Sequence, residues 1–299
     1  GLDQNNEVRV ATILKESDLY SKGVRRGWTL KTIEGVMVKP FITSNDSIGL
    51  NNLYGGTAEG VSKSFEFLRP DGIPVKIKAA QSTVNNPASL VACDTLHLSS
   101  GITGYINYSS FDTNFDKEVY PSLEYLKLCQ VQNLIVDLRY NYEAEMETGR
   151  FLASAIIGND YHGLTWLKLV HNNFPTDYVN FTLTNYPLGV KRVVFITSGV
   201  TAAGNEMLIT GLKPYLDVAV VGSRTAGNPY VLSYTFYRMK DNRDLNYYIV
   251  NAEAQGKDGQ SFTEGIPADI EAVDDITHDF GDRKEACMAA AIGYLEESR

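Results

Sequence analysis

The sequence is poor in the residues that build disulfide frameworks and metal centres. Its 299 residues include three cysteines and four histidines. Cys93, Cys129 and Cys287 are far apart and show no CxxC spacing, so we expect buried single thiols rather than disulfides or a zinc site. The histidines lack the HExxH and i, i+4 spacings of metal sites. We therefore predict no metal and no cofactor.

Long apolar runs and an excess of positive charge are also missing. No stretch approaches the ~20 apolar residues of a membrane-spanning helix. The formal net charge of −9 disfavours nucleic acid and anionic lipid as partners, because their phosphates would be repelled. The chain begins with Gly1 rather than Met, so we expect processing or truncation. A membrane contact would then come only through an N-terminal anchor outside this sequence.

The first part of the chain has the pattern of a small, mostly β module. Short alternating segments cover residues 8–14, 28–33, 65–68 and 75–78, with turn signals between them. The polar, turn-rich stretch 82–89 reads as a linker. The sequence predicts one domain over 1–83 and a second over 84–299.

The second part alternates strand-like and helix-like segments, which predicts βαβ crossovers and a parallel sheet. Predicted strands cover 105–108, 134–138, 193–196 and 218–221, and predicted helices cover 115–129, 145–157, 202–212 and 283–294.

The stretch TSGVTAAGNEM, residues 197–207, lies between a buried strand and an apolar helix. A small-residue turn at such a junction is suited to presenting a nucleophile against backbone N–H donors. Its centre, however, is Ala202-Ala203-Gly204.

Five blocks in order resemble the carboxyl-terminal processing (tail-specific) serine peptidases. The blocks are SDLYSKGVRRGW, GYINYSSF, NLIVDLRYN, TSGVTAAGNEMLITGLKPYLDVAVVGSRTAGN and EGIPADIEA. The resemblance implies an α/β fold, in which a crotonase/ClpP-like α/β domain is preceded by a small, mostly β PDZ-like domain. It also implies serine-type peptidase chemistry with a Ser/Lys dyad, and a periplasmic or exported, membrane-anchored location.

The catalytic positions depart from the family pattern. The nucleophile motif S-A-S-A-S-E is similar to residues 201–206, which places Ala203 at the nucleophile position. The lysine that serves as general base in the family corresponds to Asn228. Alanine has no oxygen to acylate, and an asparagine amide does not take a proton from a hydroxyl near neutral pH. Both positions are therefore predicted to be degenerate.

A third departure follows the DLRYN block. The family has two or three glycines there, which help to form the oxyanion hole, whereas this chain has Tyr142-Glu143-Ala144. Side chains at these positions would fill space where backbone N–H groups approach the substrate oxygen. We expect the binding surface to include these three and the residues Tyr140, Thr201, Gly204 and Gly227.

Several residues near the turn have two interpretations. Thr201 reads as a helix N-cap and Ser198 as a strand end, although either would be an alternative nucleophile. Asp137 and Arg139 fit a site pair or a structural ion pair. The tyrosines 105, 108, 140 and 142 fit a binding surface or ordinary amphipathic strand positions.

These observations lead to one main hypothesis and two alternatives. The main one is a catalytically degenerate homologue that binds a polypeptide C-terminus or another extended ligand without cleaving it. The first alternative is an active serine hydrolase whose nucleophile was mutated to alanine or relocated. The second is a domain that binds a small apolar ligand between Tyr142 and Ala203. Whether the chain is an enzyme stays open at this point.

Overall fold

The computed structural model describes residues 1–55, 59–85, 87–110, 115–142, 144–239 and 244–297, without the side chains of 115–117. The chain forms two compact units. The first contains residues 1–88 and 274–289, and the second contains residues 89–273 and 290–299.

The first unit is built on an antiparallel sheet with the order β2-β1-β3-β4. Its core contains Val24, Ile33, Phe65 and Phe67, which are almost completely buried. Its elements are α1 (Asp18–Ser21), β1 (Thr29–Ile33), β2 (Val36–Met37), α2 (Lys39–Thr43), α3 (Ser47–Tyr54), β3 (Ser62–Leu68) and β4 (Pro74–Ala80).

Residues 8–14, one of the short alternating segments of the predicted β module, form only isolated bridges in the described chain. Val10 N donates to Trp28 O at 2.9 Å, and Gly27 N donates to Val10 O at 2.9 Å. Among the described residues, the strand pairing of this stretch is limited to two single bridges, which join Leu2 to Val8 and Arg9 to Thr29.

The first unit also includes residues 274–289, which the predicted boundary at 83/84 assigned to the second domain. Arg26 holds this segment. Its Nη2 lies 2.6 Å from Asp274 Oδ1, its Nε donates to His278 O at 3.0 Å, and its guanidinium lies over the Phe280 ring. Because these partners are about 250 residues apart along the chain, no local pattern predicts the contact. That the first unit is PDZ-like stays a prediction.

The second unit contains the predicted strand–helix alternation. Among its described residues, six strands form a sheet with the order β14-β11-β10-β7-β6-β5, parallel except for the β5–β6 pair. The elements from its first strand onward are β5 (Leu90–Leu98), β6 (Gly101–Tyr108), α4 (Phe115–Leu128), β7 (Asn133–Asp137), α5 (Met146–Ile157), β8 (Thr165–Val170), β9 (Asp177–Asn180), β10 (Arg192–Thr197), α6 (Gly204–Leu212), β11 (Asp217–Gly222), β12 (Tyr230–Arg238), β13 (Asp244–Gly256), β14 (Ile270–Glu271) and α7 (Ala286–Glu296), with a 3-10 turn at Asn159–Tyr161.

A second sheet of this unit, with the order β12-β13-β8-β9, is antiparallel. It shares a core with α5 and α6. Trp166 on β8 is fully buried there and packs against Gly211 of α6. The fold is therefore a mixed α/β fold, as the sequence predicted.

Candidate functional site

The turn between β10 and α6 has the geometry of a nucleophile elbow. β10 is buried from Val193 to Thr197, and every residue of α6 is buried. Ala203 is the N-cap residue of α6 and has φ 56° and ψ −122°. A non-glycine residue rarely adopts positive φ, and such residues persist only where the surrounding structure holds them. The strained backbone of the turn is thus present, with a methyl group at its apex.

The residue after the apex is tightly enclosed. Gly204 N donates a hydrogen bond to Ala144 O at 3.0 Å. A Cβ atom on Gly204 would lie 2.6 Å from the carbonyl oxygens of both Ala144 and Glu145. Only glycine fits this position, and its N–H is already used within the chain.

The Glu206 carboxylate, which is fully buried, fixes the turn to the loop after β11. Its Oε1 accepts hydrogen bonds from Thr225 Oγ1 at 2.5 Å and from Gly227 N at 2.7 Å. Its Oε2 accepts from Asn228 N at 2.8 Å and from Ala203 N at 3.1 Å. Charge-assisted hydrogen bonds of this kind are the strong ones. One carboxylate therefore brings the two predicted catalytic positions together.

The Asn228 side chain does not have the environment of a general base. It is exposed, and its Oδ1 accepts a hydrogen bond from Tyr230 N at 3.4 Å. The preceding Gly227 has φ +87°, and a Cβ atom there would collide with Thr263 O. Backbone geometry thus explains the glycine, while the asparagine places an amide at the predicted general-base position.

The sequence suggested Thr201 as the N-cap of the helix, but the N-cap residue is Ala203. Its Oγ1 donates to Leu138 O at 2.9 Å and accepts from Ser198 N at 3.0 Å, and the residue is completely buried. The N-cap prediction was wrong because the helix begins three residues later, at Gly204. The Thr201 hydroxyl donates its proton to one backbone group and accepts from another, so it is poorly placed as a nucleophile.

The other alternative nucleophile, Ser198, is half-buried, and its Oγ accepts from Tyr140 N at 3.4 Å. Among the described residues, no lysine, histidine or carboxylate side chain forms a hydrogen bond with this hydroxyl. Tyr140 itself has φ 65°. A hydroxyl without an adjacent base is a weak nucleophile.

The predicted binding residues differ in accessibility. Tyr142 is 63% exposed, and Ala144 is half-buried beside Gly204. Glu143 lies outside the described residues. Tyr105 and Tyr108 are 1% and 0% exposed, so they are core residues and not part of a binding surface. The strand position alone did not indicate which tyrosines face solvent.

Asp137 and Arg139 form a fully buried ion pair at the carboxyl end of β7, with 2.7 Å between Asp137 Oδ2 and Arg139 Nη2. Tyr105 Oη donates to the same carboxylate oxygen at 3.0 Å. Buried charges need such paired, hydrogen-bonded arrangements. The structural interpretation of this pair fits its surroundings.

Sequence reasoning did not assign a role to Glu206 or to the buried Asn205. Asn205 Nδ2 donates to Asn141 O and to Ala202 O, each at 3.0 Å, which ties the loop after β7 to the elbow. Glu206 and Thr225 are 19 residues apart along the chain. The one available signal was a carboxylate and an amide at the start of an otherwise apolar helix.

A cavity of about 340 Å³ lies within the first unit, beside the extended residues 8–13 and the helix α3. Its lining is mostly apolar and includes Val10, Ile13, Leu50 and Tyr54. An apolar groove between an extended backbone segment and a helix is the arrangement that accepts a peptide strand in PDZ-type recognition.

No group of three or more potential metal ligands occurs among the described residues. The three cysteines lie among the described residues and are free thiols. Cys93 and Cys129 are half-buried, and Cys287 is buried. Burial raises the pKa of the Cys93 thiol to about 11. This thiol is therefore a poor nucleophile near neutral pH.

Residues 102–272 match the family model of peptidase family S41. The match covers more than half of the chain and includes the elbow. The chain belongs to peptidase family S41. No protein with a curated description matches the sequence significantly.

Solved structures agree with this assignment at the level of the fold. A protein described as a candidate S41 protease from Bacteroides fragilis NCTC 9343 matches with a TM-score of 0.75 and 16% identity, covering 95% of this chain and 77% of that one. The photosystem II D1 C-terminal processing protease matches with a TM-score of 0.55 and 17% identity over 100% and 75% of the two chains. Mature CPAF in complex with lactacystin matches with a TM-score of 0.51 and 10% identity over 99% and 80%. In the described part of the S41 chain, no helix is both long and apolar enough to cross a membrane.

Proposed function

We propose that this S41 homologue is a pseudopeptidase, which binds a polypeptide C-terminus or another extended polypeptide without cleaving it. The observation that carries the proposal is the apex of the elbow. The backbone of Ala203 has the positive φ of a residue that presents a nucleophile, yet its side chain is a methyl group. No acyl-enzyme forms on a residue without an oxygen, nitrogen or sulfur nucleophile.

Two further features support the loss of chemistry. The Gly204 N–H, which would stabilise an oxyanion in an active elbow, donates to Ala144 O instead. The base position carries an asparagine whose carbonyl oxygen accepts from a backbone N–H. The nucleophile and oxyanion-donor positions in the elbow, and the base position in the loop after β11, thus all lack what acyl transfer needs.

Retained binding is supported by the apolar cavity of the first unit. Leu50 on α3 lines it, together with Val10 and Ile13 from the extended segment. Arg9 already exchanges two hydrogen bonds with Gly1, at 2.8 and 2.9 Å, so a peptide strand would add to residues 11–13 and place alternate side chains in the cavity. We propose this groove as the ligand site and the periplasm or cell exterior as the location, the latter from the family resemblance.

The experiment is an incubation of the full chain with unfolded polypeptides, followed by mass spectrometry and pull-down. We expect retained peptides and no new C-termini beyond those of a heat-inactivated control. Amidation of the retained peptides' C-termini should weaken binding if the carboxylate is recognised. New cleavage products would overturn the proposal and return attention to Ser198.

A matched pair of variants on one helix tests the groove. Leu50→Asn should weaken peptide binding about 10-fold or more, since it places an amide in an apolar pocket. Ile48→Asn is the control, because Ile48 lies on the same helix but is 75% exposed. Equal affinities for the two variants would place the ligand elsewhere.

A further inference from the structure

The outer part of the β12–β13 hairpin is a two-stranded ribbon without a third strand in the described chain. β13 pairs with β8 only from Glu253 to Gly256, whereas its pairing with β12 continues to Asp244. β12 is the edge strand of its sheet. We call residues 232–238 and 244–250 the arm. A two-stranded ribbon alone is marginally stable in water, so a partner is expected.

One face of the arm is an apolar ladder, because directly paired residues project to the same side. Its rungs are Leu232–Val250, Tyr234–Tyr248 and Phe236–Asn246. The tyrosine rings are 5.5 Å apart. The five large side chains of the ladder are between 49% and 71% exposed: Leu232, Tyr234, Phe236, Tyr248 and Val250.

The opposite face adds further exposed apolar side chains, namely Tyr237, Leu245, Tyr247 and Ile249. A fully buried aromatic side chain removes about 150–250 Å² from water, so a half-exposed one offers about 100 Å². The five ladder side chains together offer on the order of 500 Å² per copy, or about 1,000 Å² over two copies, which is the lower bound for a specific interface. Such a patch lies toward the upper end of the roughly 300–600 Å² that the largest apolar patches of monomeric proteins reach.

Charge on the arm does not oppose self-association. It carries one arginine and one aspartate, Arg238 and Asp244, so it is neutral within a chain of formal net charge −9. The two pair at 3.0 Å at the outer end of the ladder. When two ladders meet antiparallel about a two-fold axis through the Tyr234–Tyr248 rung, the tyrosine rungs face each other and each Leu232–Val250 rung faces a Phe236–Asn246 rung. Such an arrangement uses the same patch on both copies, as isologous dimers do.

We propose that the arm is a homodimerisation element whose occupant is a second copy of this chain. The ladder faces of two arms pack against each other across a two-fold axis. The inference is independent of the proposed peptide binding, because none of the residues that line the groove lies on the arm.

The test is sedimentation velocity of the full chain at increasing concentration, from about 1 to about 100 µM. These concentrations span the micromolar dissociation constants of weaker protein–protein interfaces. We expect a species of twice the 33.1 kDa chain mass. The double variant Tyr234→Asp/Phe236→Asp should raise the dissociation constant at least about 100-fold, since it charges the centre of the interface. Tyr178→Asp is the control, because Tyr178 is 61% exposed on β9, outside the arm.

A second measurement keeps the proposal testable if the double variant does not fold. Hydrogen exchange of the wild-type arm amides should slow as concentration rises, while amides of β9 should not change. A chain that stays monomeric throughout, dimers that the arm variant leaves intact, or concentration-independent exchange in the arm would each overturn the proposal. Binding of the monomeric chain to zwitterionic lipid vesicles through the arm would also overturn it.

Discussion

Gly204 N donates a hydrogen bond to Ala144 O at 3.0 Å. In a strand–turn–helix elbow, the N–H after the nucleophile is one of the two donors that hold the oxyanion. Here Ala144 O, from the segment after β7, occupies that donor. An acyl-transfer reaction at this turn would need an oxygen at Ala203, a base at Asn228 and the release of this bond.

We expect Ala203→Ser alone to leave the chain inactive. The new hydroxyl would have no base, and a missing oxyanion donor costs ~10²–10³ in rate. Ala203→Ser/Asn228→Lys should therefore remain at least ~100-fold below an active S41 peptidase assayed in parallel. Cleavage of a fluorescent unfolded protein and labelling by a fluorophosphonate measure the two variants. Rapid labelling of Ala203→Ser would show that one substitution separates this chain from an active enzyme.

Gly204→Ala should destabilise the chain, because its Cβ atom would lie 2.6 Å from two carbonyl oxygens that belong to the backbone. Forcing the elbow apart should cost about 1–3 kcal/mol in the free energy of unfolding. Gly293→Ala is the matched control in α7, where a Cβ atom meets nothing within 4 Å. That change should stabilise the helix by about 1 kcal/mol. Denaturant unfolding measures both, and an equal effect of the two would contradict the packing described for Gly204.

The strand–helix alternation of the second unit was predictable because its strands are continuous apolar runs, as in Val193–Ile196. The position of the elbow followed from the same pattern. The role of Thr201 could not be predicted from this pattern, because its hydroxyl donates to Leu138 O, 63 residues away, and not to the helix that follows. Local sequence favours an N-cap at a threonine before a helix, and a long-range contact decides otherwise.

Long-range pairing also explains why two larger features of the fold could not be predicted from the sequence. The segment around Asp274 joins the first unit through Arg26, and nothing near either residue marks the pair. The antiparallel sheet of β8, β9, β12 and β13 joins strands that are up to about 90 residues apart. Register between such strands depends on packing and not on spacing.

Glu206→Gln should weaken the connection between the elbow and the loop of Gly227. The carboxylate accepts four hydrogen bonds, and an amide would turn its NH₂ group toward donors. Buried donors left without an acceptor cost about 1–3 kcal/mol each, so we expect a loss of about 3 kcal/mol and a clear fall in Tm. Glu264→Gln, at an exposed position of the same unit, should change the Tm little. A Glu206 variant as stable as the control would show that these bonds contribute little.

We expect the stability of the β8–β9 region to depend on pH because of His171. Its Nδ1 lies 2.9 Å from Asn251 O and its Nε2 lies 3.0 Å from Asp177 Oδ2, so only the imidazolium donates to both acceptors. The Asn251 carbonyl and the Asp177 carboxylate raise the pKa of His171. Because the folded pKa exceeds the unfolded value of about 6.5, this stabilisation is complete below about pH 6.5 and is lost as the pH rises through the folded pKa.

Asp177→Asn should lower the pKa of His171 and reduce the fall in Tm between mildly acidic and alkaline pH. NMR titration of the His171 ring gives the pKa, and thermal unfolding at a series of pH values gives the Tm. Asp160→Asn removes the same charge from an exposed turn of the same unit and serves as the control. If His171 titrates identically in the wild type and both variants, the Asp177 carboxylate does not hold the imidazolium.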